Sequence, residues 1–215
     1  MTYHIISLFP KAFDSYLNES ILKRAIKNKK IKIKFYNPRD FTKGNSYSDH
    51  RVDDKPYGGG PGMVIEALPV IKAIAKALNK KKNVKIIWFS PSGKSFNTSY
   101  AKNITEKFTD IILICGRYEG IDARVKKLFK VEEISVGPFI LTGGELPAMI
   151  LIDSISRQIP GVLGDIQSLE ENRIASADVY TRPEIIIYKN KKYHVPKVLL
   201  SGNHKLIEEW RKKKI

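Results

Sequence analysis

Three glycine-bearing turns and one arginine at a helix end carry most of the chemistry this sequence can offer. The turns are Ser90-Pro91, the run GRYEG at residues 116–120, and the run 137–144; each follows an apolar stretch with strand character. Glycine lets another group come close to the backbone. Loops at the carboxyl ends of strands in an α/β sheet gather into one ligand crevice. None of the turns has the spacing of a phosphate cradle. Pro91-Ser92-Gly93-Lys94-Ser95 resembles the end of a P-loop, but Trp88 stands where the first glycine is required. Gly58, Gly59, Gly60 and Gly62 miss the dinucleotide pattern because Met63 occupies its last glycine. Three loops without such a cradle suit a cofactor held by backbone N–H and C=O groups.

The densest of these stretches is SVGPFILTGGELPAMILIDSISR, residues 135–157. Val136, Phe139, Ile140 and Leu141 are apolar and β-favouring, which predicts a strand. Thr142, Gly143 and Gly144 interrupt it. Glu145 and Pro147 suit a first helical turn, where an acid favours the dipole and proline lacks no needed donor. Leu146, Met149, Ile150, Leu151, Ile152 and Ile155 then give a helix apolar on most sides. Asp153 and Arg157 stand i,i+4 as a polar stripe. The stretch reads equally well as a tight turn in an α/β core and as a ligand loop.

Other reactive residue types are quieter. Cys115, the single cysteine, ends an apolar strand and reads as an inert buried thiol. It excludes a disulfide framework and points to a reducing, intracellular setting. His4, His50, His194 and His204 show no metal-ligand spacing.

The scaffold that must position these groups can be traced along the chain. Apolar runs predict buried strands at 3–9, 84–89 (ending at Ser90-Pro91) and 110–115, with a half-exposed, lysine-alternating strand at 31–35. Helical spacing predicts helices at 12–30, 66–80, 97–108 and, short and basic, 122–130. Between them, residues 39–63 form a long glycine-rich segment, expected to be an ordered functional loop. Residues 163–181 read as a linker, 184–188 as a short strand and 203–213 as a short helix. Alternating strands and helices, with several strands apolar throughout, predict an α/β fold with a mostly parallel sheet covered on both faces.

Composition narrows the partners. A formal charge of +16 over 215 residues implies a polyanionic partner, nucleic acid ahead of a membrane surface. A hydrophobic content of 42% supports a real core. The first residues carry no secretory signal, and no apolar run reaches the ~20 residues of a spanning helix. A soluble, cytoplasmic protein with no membrane partner is expected.

Nine segments in order, IISLFP (5–10), NPRDF (37–41), VDDKPYGGGPGM (52–63), CGRYEGID (115–122), GELPAM (144–149), the run 152–157, IPGVLG (159–164), YTRPE (180–184) and LLSGNH (199–204), closely resemble the bacterial tRNA (guanine-N1)-methyltransferase family. The resemblance covers nearly the whole chain. It implies a SPOUT-type α/β fold with a trefoil knot, a homodimer, S-adenosylmethionine as methyl donor, and methylation of N1 of the guanosine 3′ of the tRNA anticodon. It implies a knotted domain at 1–164, a linker at 165–182 and a short, truncated C-terminal RNA-binding segment with helical character at 183–215. DNA is not an expected partner. A magnesium ion is an additional candidate cofactor without a site legible in the sequence.

Residue by residue, the resemblance places the donor among Trp88, Ser90 and Pro91; Gly116, Arg117, Tyr118 and Gly120; and Val136, Gly137, Pro138, Phe139, Ile140, Leu141, Gly143, Gly144 and Leu146. Pro138 stands where an aspartate is common. Glu119 and Arg157 fall at catalytic positions, Arg157 offsetting charge that develops on guanine as N1 loses its proton. RNA contacts fall on Arg51, Asp53, Tyr57, Gly58, Gly59 and His204. The family's general base is an aspartate, and its position here is Asn172, which cannot accept a proton as a carboxylate does. Glu171 or Glu170 takes the role after a small register shift, or the chain is a degenerate relative that binds RNA or cofactor without turnover. A related methyltransferase acting on another RNA is a third reading.

Overall fold

The computed structural model describes residues 1–42, 50–163 and 178–212. Two compact units divide it, Met1–Val162 and Leu163–Ile215.

The first unit opens with β1 (Thr2–Ile6), a 3-10 turn (Pro10–Phe13), α1 (Asp14–Leu17), α2 (Ser20–Lys27) and β2 (Lys32–Tyr36). A second 3-10 turn, Pro38–Phe41, leads toward β3 (Asp53–Asp54) and β4 (Val64–Ile65), which pair antiparallel. Then come α3 (Ala67–Leu78), β5 (Val84–Ser95), α4 (Thr98–Lys107), β6 (Asp110–Ile114), α5 (Arg124–Leu128), β7 (Val131–Ser135) and α6 (Glu145–Ser156). The five longer strands form one sheet in the order β2-β1-β6-β5-β7, every neighbour parallel.

Side chains alternate across this sheet. Ile111 and Leu113 of β6 enter a core closed by Phe13, Leu17, Leu22 and the buried faces of α4 and α6. Ile112 and Ile114 enter a second core under α3 and α5, with Val70, Ile74 and Val125. Helices therefore cover both faces, the arrangement that apolar parallel strands require. The edge strand β2 is guarded by exposed Lys32 and Lys34.

Local signals set several boundaries. The Asn97 side chain accepts a hydrogen bond from the Tyr100 N–H at 2.8 Å and caps α4. Asn79 adopts a left-handed conformation, φ +30°, and stops α3.

Three sequence expectations are corrected. The helix over 12–30 is broken at Asn18–Glu19, and α2 restarts at Ser20 with φ +47°. Leu17 and Leu22 both enter the core, but they stand five apart, so an unbroken helix would not turn both inward. The strand at 84–89 does not end at Ser90-Pro91: β5 resumes its pairing with β7 at Lys94–Ile134 after a bulge. Gly93 makes this return possible, since a Cβ there would lie 2.6 Å from backbone atoms of Glu133 and Ile134. The strand expected over Val136–Leu141 is absent: β7 ends at Ser135, and Phe139 and Ile140 are exposed.

In the second unit, the expected strand is β8 (Ile185–Tyr188), one half of a hairpin with β9 (Lys191–His194). Its two-residue turn, Lys189-Asn190, has both φ values positive, as a twisted hairpin favours. α7 (Lys197–Leu200) and α8 (His204–Lys212) follow.

Candidate active site

Residues from three chain segments meet at the bulge of β5 and the carboxyl ends of β6 and β7 and line a cleft of about 300 Å³. The bulge in β5 contributes Phe89, Ser90 and Pro91. Pro91 sits in the bulge, where its missing N–H costs no ladder bond. The turn after β6 contributes Gly116, Arg117, Tyr118, Glu119 and Gly120. Tyr118 has φ +57° and Gly120 φ +117°, so this turn runs through left-handed backbone. The segment after β7 contributes Val136, Gly137 and Phe139, then Ile140, Leu141, Gly143 and Gly144.

Most sequence-selected donor residues are thus brought together. Trp88, Pro138 and Leu146 are not among the lining residues. Trp88 turns into the second core, with the Lys126 ammonium 5.3 Å from its ring centre. Leu146 is half exposed on the first turn of α6.

The walls are joined through their backbones. The Gly144 N–H donates to the Gly116 carbonyl at 2.9 Å. A Cβ on Gly144 would lie 2.5 Å from the Cys115 Cα, so only glycine fits between these segments. The Ser135 hydroxyl donates to the Gly137 carbonyl at 3.0 Å and shapes the opposite wall.

Polar anchors sit below the cleft. Glu145 is buried, accepting from the Ser7 hydroxyl at 2.7 Å and from Arg117 Nε at 2.9 Å. Arg117 also donates to the Thr142 carbonyl at 3.4 Å, and its guanidinium lies 4.8 Å from the Phe9 ring centre. On sequence alone Glu145 reads as a helix-dipole residue, and Ser7 is not among the candidate site residues. An acid flanked by two glycines and a proline was the available signal. Burial pushes the Cys115 thiol well above its ordinary range, and nearby Glu145 adds to this, so the thiol is unreactive.

Residues 62–65, at the end of the 39–63 segment and in β4, meet the same turn. Ile65 N–H donates to the Gly120 carbonyl, and Asp122 N–H to the Ile65 carbonyl, both at 2.9 Å. Glu119 N–H donates to the Met63 carbonyl at 3.0 Å, and its side chain lies against Gly62, whose φ is +81°. Arg51 Nε donates to the Asp53 carbonyl at 2.8 Å. Tyr57 is fully exposed, and Gly58 and Gly59 have φ +85° and +79° with open space where a side chain would be. Tyr57 also lines a second cleft with Arg124 and Lys127. His204 lies in the second unit, exposed at the start of α8.

Arg157 is the C-cap of α6, its N–H donating to the Asp153 carbonyl at 3.1 Å. α6 begins at Glu145 beside the cleft. Twelve residues at 1.5 Å each put Arg157 about 18 Å along the axis. It is not among the lining residues. Glu170, Glu171 and Asn172 lie outside the described residues.

Comparison with known proteins bears on this geometry. The family model for tRNA (Guanine-1)-methyltransferase TrmD matches residues 1–215. The tRNA (guanine-N(1)-)-methyltransferase of Campylobacter jejuni subsp. doylei is 47% identical over 208 residues, covering 95% of this chain and 87% of that protein. The protein of the same name from Clostridioides difficile is 46% identical over 218 residues, covering 99% of this chain and 91% of its own. The crystal structure of tRNA (m1G37) methyltransferase from Aquifex aeolicus superposes with a TM-score of 0.79 at 37% identity, over 99% of this chain and 88% of that one. Glycine-walled cleft, parallel sheet and whole-length sequence match agree: the chain belongs to the TrmD family of tRNA (guanine-1)-methyltransferases.

Proposed function

We propose that this protein transfers a methyl group from S-adenosylmethionine to N1 of the guanosine 3′ of the anticodon in tRNA. The carrying observation is the cleft at the bulge of β5 and the carboxyl ends of β6 and β7, walled by Gly116, Gly120, Gly137, Gly143 and Gly144, where a Cβ on Gly137, Gly143 or Gly144 would strike neighbouring protein atoms. When bound, S-adenosylmethionine supplies an electrophilic methyl group on a sulfonium sulfur. The residues of the chain do the rest. The turns 116–120 and 137–144 hold and orient the donor. A carboxylate takes the proton from guanine N1 as the N–CH3 bond forms and the S–CH3 bond breaks. Glu171 or Glu170 fills this role, since Asn172 cannot. Arg157 offsets the negative charge that develops on the base. Glu119, pinned to the Met63 carbonyl, joins the donor turn to the loop that meets RNA.

Tyr57, Arg51 and the open glycines of that loop suit a splayed anticodon base, read by stacking and edge contacts. The +16 charge supports phosphate contacts across the rest of the tRNA. Among the described residues, no three His, Cys, Asp or Glu side chains converge into a set that could hold a metal ion, and no step is assigned to magnesium.

The working unit is proposed to be a homodimer. Arg157 lies too far along α6 to serve the cleft of its own chain. Exposed Leu146 and Ile150 on α6, with Phe139 and Ile140 of the cleft wall, offer an apolar face for a second copy. A trefoil knot at the end of the first unit is supported by the close threading of Gly144 against Cys115 and Gly116. A boundary between a first domain at 1–164 and a C-terminal segment at 183–215 is supported by the two compact units; the linker proposed at 165–182 lies largely outside the described residues. A cytoplasmic location fits a tRNA substrate; no helix among the described residues is long and apolar enough to cross a membrane.

The test is incubation with labelled S-adenosylmethionine and unmodified tRNA carrying that guanosine, followed by nucleotide mapping. The expected product is 1-methylguanosine at that site. Methyl-donor binding without turnover would instead favour a non-catalytic relative, the reading that Asn172 motivates. A methyl group mapped elsewhere would reassign the substrate.

A further inference from the structure

We infer that Glu145 is a positioning residue of the donor cleft, acting through Arg117 to lock two of its walls together. Glu145 opens α6 and is only 3% exposed. Its two carboxylate oxygens are divided between different parts of the fold. Oε1 accepts from the Ser7 hydroxyl at 2.7 Å, and Oε2 from Arg117 Nε at 2.9 Å. Ser7 follows β1, and its hydroxyl oxygen also accepts from the Phe9 N–H at 2.9 Å. Arg117 closes the circuit: it donates to the Thr142 carbonyl and places its guanidinium over the Phe9 ring. The carboxylate thus links the end of β1, the turn after β6 and the turn before α6.

Glu145 sits away from solvent with a partner on each oxygen. A buried carboxylate is tolerated when its lone pairs are met, and bonds to charged groups are the strong ones. Here meeting them fixes the Arg117 side chain, and with it the separation of the Arg117 and Gly143 backbones, which already bridge. Gly143 has no room for a Cβ between Arg117 and Glu145. Arg117 and Gly143 both line the cleft, whereas Glu145 does not. The carboxylate therefore acts on a bound donor through Arg117.

The inference rests on the donor assignment of the cleft, and the experiment separates the two. Native protein, Glu145→Gln, Arg117→Ala and the double variant are titrated with S-adenosylmethionine by calorimetry and assayed with tRNA. Glu145→Gln keeps the shape but loses the charge-assisted bond, and the expected result is a roughly tenfold weaker donor affinity, read as a raised donor KM with tRNA KM unchanged. Because Glu145 acts through Arg117, adding Glu145→Gln to Arg117→Ala should change donor affinity less than twofold. Additive losses in the double variant, or unchanged donor affinity in a folded Glu145→Gln protein, overturn the inference. Amide exchange supplies a readout that needs no ligand: Gly144 N–H, bonded to the Gly116 carbonyl, should exchange faster in Glu145→Gln than in native protein. Native protein that fails to bind the donor defeats the donor assignment, while unchanged exchange at Gly144 defeats the lock. If Glu145→Gln does not fold, Ser7→Ala removes one of the two bonds, and the same exchange comparison decides.

Discussion

Gly144 and Cys115 approach so closely that a Cβ on the glycine would stand 2.5 Å from the cysteine Cα. Backbone meets backbone there, and no side chain can move aside. Gly144→Ala should therefore destabilise the protein by roughly 1–3 kcal/mol through overpacking. A lowered melting temperature with loss of S-adenosylmethionine binding in calorimetry is the expected outcome. Gly143→Ala is the contrast: its Cβ meets the Arg117 and Glu145 side chains. A smaller melting shift with weakened donor binding is expected for it.

Arg157 and the cleft stand at opposite ends of α6, and this separates binding from chemistry. Arg157→Ala should lower kcat by about 10²–10³ while leaving donor affinity unchanged. If Arg157 serves the second copy, mixing Arg157→Ala with Arg117→Ala subunits should restore activity that neither variant shows alone. Activity in the mixture no higher than the sum of the two would defeat the shared site.

Glu171 and Asn172 divide the question of the base. Glu171→Gln should reduce turnover by about 10²–10⁴, the usual contribution of a general base. Asn172→Asp should preserve or raise activity, because it restores a carboxylate one position away. A large fall in rate on Asn172→Asp would contradict a position that has merely lost its acid.

His4 gives the fold an acid sensitivity. It lies buried in β1 between the Tyr36 hydroxyl at 3.0 Å and Asp110 Oδ1 at 2.8 Å. Burial pulls its pKa below the ordinary 6.5, with Lys81 and Lys34 helping and Asp110 opposing. The unfolded chain then binds a proton more readily than the folded one. The contribution of neutral His4 is present in full above the unfolded pKa of 6.5 and falls as pH drops toward the folded value. Asp110 acts lower down: burial opposes ionisation, but hydrogen bonds from His4 and Thr109 hold its carboxyl below 3.8. Urea midpoints should fall between about pH 7.5 and pH 5.5 in native protein and change less in His4→Gln. Equal slopes in the two proteins would exclude His4 as the source.

Much of the scaffold was legible because it follows from local chemistry. Apolar runs such as DIILI can be satisfied on both sides only in a parallel sheet under two helix layers, and β6 is such a strand. The glycines at 116, 120, 143 and 144 announced backbone that comes close to something, and all four line the cleft. Family-specific motifs supplied the donor and the tRNA. Tertiary structure decided what depends on residues far apart in sequence. Pro91 looked like the end of a strand, yet β7 lies near enough for β5 to bulge and resume, with Gly93 as the only residue type that fits the return. Phe139 and Ile140 looked like strand interior, yet no strand among the described residues pairs with them. Glu145 looked like a helix-dipole acid until the fold placed Ser7, 138 residues away, against one oxygen and Arg117 against the other. A hydrogen bond over that distance leaves no trace in local pattern, because neither residue's neighbours encode the other's position.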